Sequence, residues 1–432
     1  MAFIGPEAIV AKKSQYLVPC SYHFYENPPQ LVRGQMQYLY DSAGNAYLDG
    51  FGGVSVMNCG HCNPAILEPV MAQMGALQHT TSIYLTQPVV DLAEKIAQVT
   101  PGILKRSFFC GTGSEANEGA LLLAELHTKK SEFIALDLGL HGRTRLTMSA
   151  TGIGMWRATG TPSGGIHFAP NPYCYRCPFG KAPETCGFAC VEAVRTLIER
   201  RNPAHIAAMI CEPIQGNGGI IVPPAGYFKA LKQVLDDYGI LLIVDEVQTG
   251  FARTGKMFAI EHFGVVPDIM TVAKALGNGI PIGAYITNDE LAQSFTTPSA
   301  STLGGNPVSA TAGLAVLSYI EEQDLANRAE VLGDQLITGL RRLQEIFPIV
   351  GDVRGLGLMV GVELVGAGKV PNPTACDQIL EAMKERGYLL GKNGEHRHVL
   401  AFQPPLVVTE ADIHGLLENL EAVLERVAVD GL

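Results

Sequence analysis

Three apolar runs in this 432-residue chain end on side chains that can do chemistry. IAAMIC, at 206–211, leads into Glu212; LLIV, at 241–244, into Asp245; and IMTVA, at 269–273, into Lys274. A further run, SFFC at 107–110, enters GTGS and then a helical pattern with Ala116, Ala120 and Leu123 on one face. Glycines beside a helix N-terminus leave backbone N–H groups free at the positive end of the helix dipole, where phosphate is favoured. In open parallel sheets ligands lie beyond the carboxyl ends of the strands, so these ends can act on one ligand. An amine able to bond to a carbonyl, an anion able to keep a ring nitrogen protonated, and a phosphate loop together suggest pyridoxal phosphate, whose ring acts as an electron sink. Taken singly, Asp245 reads as a loop cap, Lys274 as a side chain reaching solvent, and 111–114 as a strand-to-helix turn. Their joint occurrence in this order carries the inference.

Other motifs point elsewhere. Gly250 to Lys256 spell G-x-x-x-x-G-K, but Met257 stands where a magnesium-binding Ser or Thr is required, and the run follows the acidic strand instead of preceding it. A nucleotide hydrolase is therefore not expected. CGHC at 59–62 has the spelling of a thiol–disulfide site, yet Asn63-Pro64 follows at once, which reads as a helix start with two ordinary thiols before it. Cys174, Cys177, Cys186 and Cys190 have zinc-like spacing; they are expected to be loop and helix-start thiols near the active-site rim, with no metal.

Strand ends of this kind need a sheet to hold them. Runs at 107–110, 133–136, 206–211, 241–244, 269–273 and 283–287 mostly alternate with helical patterns, which implies parallel strands joined by crossovers. After about residue 325 the character changes: Leu332, Leu336, Leu340 and Leu343 keep helical spacing, and MVGVELV reads as a strand. The last helix should start at a Thr409–Asp412 capping box, with Ile413, Leu416, Leu417, Leu420, Val423 and Leu424 on one face. Residues 34–50 read as a hairpin turning at 41–45. The expected division is 1–60 and 326–432 as the two parts of a small α+β domain, with 61–325 as a large α/β domain. A net charge of −11 argues against nucleic acid. No apolar stretch approaches the ~18 residues of a membrane span, and ten cysteines without an export signal suggest a cytoplasmic protein.

The motifs GTGSEAN, HGRT, CEPIQGNGG, LLIVDEVQTGFARTG, PDIMTVAKALGNGIPIGA and STLGGNP together resemble the class III, or ω-type, aminotransferases. The resemblance runs from YLDGFGG at 47–53 to PPLVVTEADI at 404–413 and is most like the alanine–glyoxylate type-2 branch. It implies a fold-type-I pyridoxal-phosphate enzyme, α/β with a mostly parallel central sheet. It implies transfer of an amino group from an ω-amino acid, amine or alanine to a 2-oxo acid such as pyruvate or glyoxylate, in two half-reactions. A lyase or racemase on the same scaffold is the alternative. Lys274 matches the lysine that binds the cofactor and moves the proton, Asp245 the partner of the pyridine nitrogen, and Gln248 a residue near the phenolic oxygen. Gly113 and Ser114 match the phosphate loop. Thr302 matches a threonine reaching the cofactor phosphate of a neighbouring subunit, which implies a homodimer, or a tetramer, with shared sites. Glu212 matches a glutamate that often holds a movable arginine, or else serves as a structural strand-end carboxylate.

Two positions depart from the family pattern. Leu140 precedes His141 where an aromatic ring usually stacks on the cofactor; an alkyl side chain can still cover a ring face by dispersion. Ala401 stands where many relatives carry an arginine that grips the substrate carboxylate in a bidentate pair. Arg397 or Arg143 could take over that role.

Overall fold

The chain reverses at residues 41–45, where the Asp41 carboxylate accepts N–H donors from Ala43, Asn45 and the Asn45 side chain, each at 2.9 Å. These bonds close the hairpin between β2 (Tyr38–Asp41) and β3 (Ala46–Asp49), and β1 (Leu31–Gln35) pairs with β2 on its other edge. The computed structural model describes residues 3–158 and 164–429.

The central sheet has seven strands: β4 (Arg106–Cys110), β5 (Glu132–Leu136), β6 (Ile166–Ala169), β7 (Ile206–Cys211), β8 (Leu241–Asp245), β9 (Ile269–Val272) and β10 (Gly283–Thr287), in the order β4-β10-β9-β8-β7-β5-β6. Every residue of β7, β9 and β10 is buried, as expected for strands covered by helices on both faces. One strand corrects the parallel reading. β10 runs antiparallel between β4 and β9, with Ala284 opposite both Phe109 and Val272. Residues 273–282 hold only the 3-10 turn Lys274–Gly277, too short for the helical crossover a parallel return needs.

The rest of the chain forms an antiparallel sheet ordered β11-β12-β15-β14, from β11 (Val350–Leu356), β12 (Met359–Leu364), β14 (Gly391–Asn393) and β15 (Val399–Phe402). The short strand β13 (Tyr388–Leu389) instead joins β3 in parallel, tying the two chain ends together. Helices Leu325–Ile346 and Glu410–Val429 pack near this sheet, with Leu332, Leu336, Leu340 and Leu343 buried on the first. The expected capping box is present: Asp412 Oδ2 accepts from Thr409 N at 2.8 Å, and Thr409 Oγ1 accepts from Asp412 N at 3.2 Å. No helix among the described residues is long and apolar enough to cross a membrane.

Candidate active site

At the carboxyl edge of the central sheet, Asp245 closes β8 and is held from several sides. Its Oδ2 accepts from Asn117 Nδ2 and bonds to His141 Nδ1, both at 2.8 Å, and its Oδ1 accepts from Val247 N at 3.1 Å. Asn117 also donates to the His141 carbonyl at 2.7 Å and accepts from Thr271 Oγ1 at 2.6 Å. The helix Gly113–Thr128, the loop after β5 and the strand β9 thus all converge on one carboxylate. With Nδ1–H donating to Asp245, a neutral His141 presents a bare Nε2, and that atom is buried with no partner among the described residues.

Glu212 follows β7. Its Oε1 accepts from Leu140 N at 2.9 Å and its Oε2 from Gly216 N at 2.8 Å. Burial pushes its pKa up to about 7; the nearby His141 opposes the rise and Asp245 adds to it. Both of its oxygens are tied to backbone amides, at the end of a strand that leads into the cleft. Lys274 follows β9 in the left-handed region, φ 45°, where a side chain is unfavourable and strain gathers at functional sites. Burial lowers its pKa, while the negative charges of Asp245 and Glu212 work in the opposite direction.

The glycine loop after β4 opens the helix Gly113–Thr128, with Thr112 Oγ1 accepting from Glu115 N at 3.2 Å as its cap. Ser114 Oγ accepts from Arg143 N at 3.1 Å, joining this loop to HGRT. Two glycines are required by close approach: a Cβ at Gly142 would lie 2.6 Å from Ser114 Oγ, and one at Gly216 would lie 2.2 Å from Gln248 Oε1. Gly113, Ser114, Leu140, His141, Glu212, Asp245, Gln248 and Lys274 all line one cleft of about 320 Å³, within the size range of small-molecule sites. Asn117, Val247 and Val56 line it too, and sequence reasoning did not single them out. Asn117 had a signal, a polar residue on the apolar face that carries Ala116 and Ala120. Val56 had none; it follows the turn Gly52–Ser55, in which even Val54 takes φ 69°.

The remaining candidates lie elsewhere. Thr302 is exposed and lines a separate groove that shares Gly111, Thr112 and Pro281 with the cleft. Ala401 is fully buried in an apolar cluster with Ile214, Ile220 and Met359, against which Phe51 packs. The G-x-x-x-x-G-K run is a structural turn. Its Arg253 is fully buried and donates to the Leu358 and Pro404 carbonyls at 2.8 and 2.6 Å and to Asn58 Oδ1 at 2.6 Å. Asn63 starts a helix as its sequence suggests, accepting from Ala65 N at 3.0 Å. Cys190 is buried, whereas Cys174, Cys177 and Cys186 are partly exposed. Among the described residues no group of three or more His, Cys, Asp or Glu side chains is set to hold a metal ion.

The cleft fits pyridoxal phosphate on its unfinished polar atoms. Gln248 Nε2 is buried without an acceptor among the described residues, a donor suited to a phenolic oxygen. The helix N-terminus at 113–114 suits a phosphate, and Leu140 and Val247 offer apolar walls to a ring. The family model for class III aminotransferases matches residues 24–424. The chain is 43% identical, over 98% of its length and 89% of the relative's, to alanine–glyoxylate aminotransferase 2 homolog 2, mitochondrial, of Arabidopsis thaliana. It is 39% identical to the leucine/methionine racemase of Thermococcus litoralis, over 98% of this chain and 96% of that one. A thermostable (S)-enantioselective ω-transaminase from Thermomicrobium roseum superposes with a TM-score of 0.90 at 33% identity, covering 99% of this chain and 100% of the other.

Proposed function

This chain belongs to the class III aminotransferases and transfers amino groups with pyridoxal phosphate; we propose that its donor is an ω-amino acid, an amine or alanine and its acceptor a 2-oxo acid such as pyruvate or glyoxylate. The observation that carries the assignment of residues is the convergence of Lys274, Asp245 and the unpartnered Gln248 amide on one cleft. When bound, the cofactor supplies a carbonyl carbon to take up the amino group and a ring to accept the electron pair of the broken C–H bond. Lys274 anchors it covalently and then carries the proton at the reacting carbon, a task favoured by the downward shift of its pKa. The Asp245 charge keeps the ring nitrogen protonated, and His141 and Asn117 aim that carboxylate. Gln248 donates to the phenolic oxygen, the backbone at Gly113 and Ser114 holds the phosphate, and Leu140 and Val247 cover the ring faces.

We further propose a homodimer in which Thr302 reaches the partner's phosphate site. Its exposed position on a groove that adjoins the glycine loop supports this, as does the exposure of the apolar Leu303 on the same groove. Ten cysteines, none in a disulfide, support a reducing compartment such as the cytoplasm.

The decisive test is the absorption of the purified protein. An amine donor should bleach the yellow cofactor, and pyruvate or glyoxylate should restore it. Racemisation of leucine or methionine without any 2-oxo acid would favour the racemase alternative suggested by the Thermococcus relative. Borohydride reduction and peptide mapping should put the pyridoxyl mass on Lys274, and another lysine would overturn that assignment. Mixed dimers of Lys274→Ala and Thr302→Ala chains should regain activity, because one of their two sites is then intact; no recovery would place Thr302 in its own chain's site.

A further inference from the structure

Strand β9 reads IMTV, and Thr271 is its one polar residue. A valine would fill the same shape in a strand that is buried throughout, so the hydroxyl must be held there by a bond. Thr271 stands opposite Asp245 in the parallel pairing of β8 with β9. It precedes Ala273 and Lys274, both of which line the cleft, so the strand that delivers the amine also carries this hydroxyl. Thr271, Asn117 and Asp245 are 0%, 1% and 3% exposed, and water therefore does not compete for the bonds between them.

The direction of each bond is fixed by chemistry. The Asp245 carboxylate and the His141 carbonyl only accept, so Asn117 must turn its amide nitrogen toward both, at 2.8 and 2.7 Å. Its two N–H hydrogens are then spent, and its Oδ1 faces Thr271 Oγ1 at 2.6 Å. The hydroxyl hydrogen must therefore point at Oδ1, and Thr271 is the sole donor to that oxygen among the described residues. A donor on an amide oxygen polarises the amide and strengthens its N–H bonds. The chain of bonds thus runs one way, from Thr271 through Asn117 to Asp245. Asn117 also holds the backbone of His141, whose Nδ1 makes the other side-chain bond to Asp245 Oδ2, at 2.8 Å. One hydroxyl stands behind both.

We propose that Thr271 is a positioning residue for transamination: its hydroxyl locks Asn117, and through it His141, so that Asp245 presents its charge in one fixed direction to the cofactor's ring nitrogen. This role rests on Asp245 being the partner of that nitrogen in the transaminase reading. Without the hydroxyl, Asn117 Oδ1 is left buried with no donor, the amide is free to turn, and Asp245 loses an aimed N–H.

The test is the nitrogen NMR resonance of holoenzyme whose cofactor carries the heavy nitrogen isotope in its ring. In the wild type it should lie at the position of a protonated ring. Thr271→Val should move it toward the unprotonated position and lower kcat about tenfold, the low end for a lost bond to a charged group. KM for the amino donor should stay within about twofold. Thr271→Ser, which restores the hydroxyl, should match the wild type in both readings. Thr271→Ala should move the resonance as valine does, which keeps the result readable if valine crowds the strand. In an Asn117→Ala background Thr271→Val should change nothing further, because the route is already cut. An unmoved resonance in the valine and alanine variants, a serine variant that behaves like valine, or a full further effect in the Asn117→Ala background would each overturn the relay. If instead the wild-type resonance is that of an unprotonated ring, the reading of Asp245 fails and the relay falls with it.

Discussion

Asp245 and Glu246 are neighbours at the end of β8, and both are buried carboxylates, yet their surroundings differ in kind. Glu246 is saturated: Oε1 accepts from Ile260 N at 2.8 Å, Oε2 from Ala259 N at 3.1 Å, and the Thr249 hydroxyl donates as well. Asp245 is equally well held, but it faces a cleft where Gln248 Nε2 and His141 Nε2 have no partner among the described residues. Away from the cleft an unpaired atom has no such neighbours: Arg253 spends Nη1 and Nη2 on Asn58, Leu358 and Pro404, and its buried Nε has no partner among the described residues. Buried polar groups are normally satisfied, so unfinished ones clustered on a cleft mark where a ligand belongs, and finished ones mark scaffold.

The largest expected effect tests the functional half of this contrast. Asp245→Asn should lower kcat about 10³-fold, on the order of 4 kcal/mol in the barrier, while the protein keeps its fold and its cofactor. An amide keeps the shape but removes the charge that holds the ring nitrogen protonated. Near-normal turnover would return Asp245 to the scaffold with Glu246.

Arg253→Met tests the other half and should lose about 3 kcal/mol of stability in urea unfolding, because carbonyls buried around a removed cation are left unpaired. The activity of the fraction still folded should be unchanged. A variant that is stable but inactive would mean that the turn at 250–256 has a catalytic task after all.

Glu246 gives a pH signature. Burial raises its pKa from 4.5 to about 7, with the Thr249, Ile260 and Ala259 bonds opposing. Between those values the folded protein keeps a proton that the unfolded chain has released, so stability falls as pH rises. Between pH 5 and 7 the loss should be on the order of 2 kcal/mol from this group alone. Glu246→Gln should flatten the slope by that amount whatever its own baseline stability. Glu212, also raised to about 7 by burial, should leave a residual slope; an unchanged slope would show that Glu246 does not titrate in this range.

The smallest effect concerns Leu140. Leu140→Phe should tighten cofactor binding by less than about 1 kcal/mol, since an aromatic pair adds roughly 0.5–1.5 kcal/mol beyond its burial. Dialysis against phosphate with absorbance readout would detect it. A loss of binding would mean that this wall of the cleft is already full.

Local residue order determined much of this protein. The apolar runs that end in Glu212, Asp245 and Lys274 were legible because β-strands put successive side chains on opposite faces and end where the chemistry begins. The glycine loop at 111–114, the turn at 41–45 and the Thr409–Asp412 cap were legible because each depends on partners a few residues apart. Tertiary structure alone decided what lies between distant segments. The reversal of β10 follows from the length of its connection and its pairing with β4. The locking of Asp245 by Asn117 and His141 joins residues 128 and 104 positions apart, and the Arg397 guanidinium meets Tyr22 and Phe24 only once those segments are packed together. Which polar groups are finished and which are left open is a property of contacts across the whole chain, and no local pattern of residues encodes it.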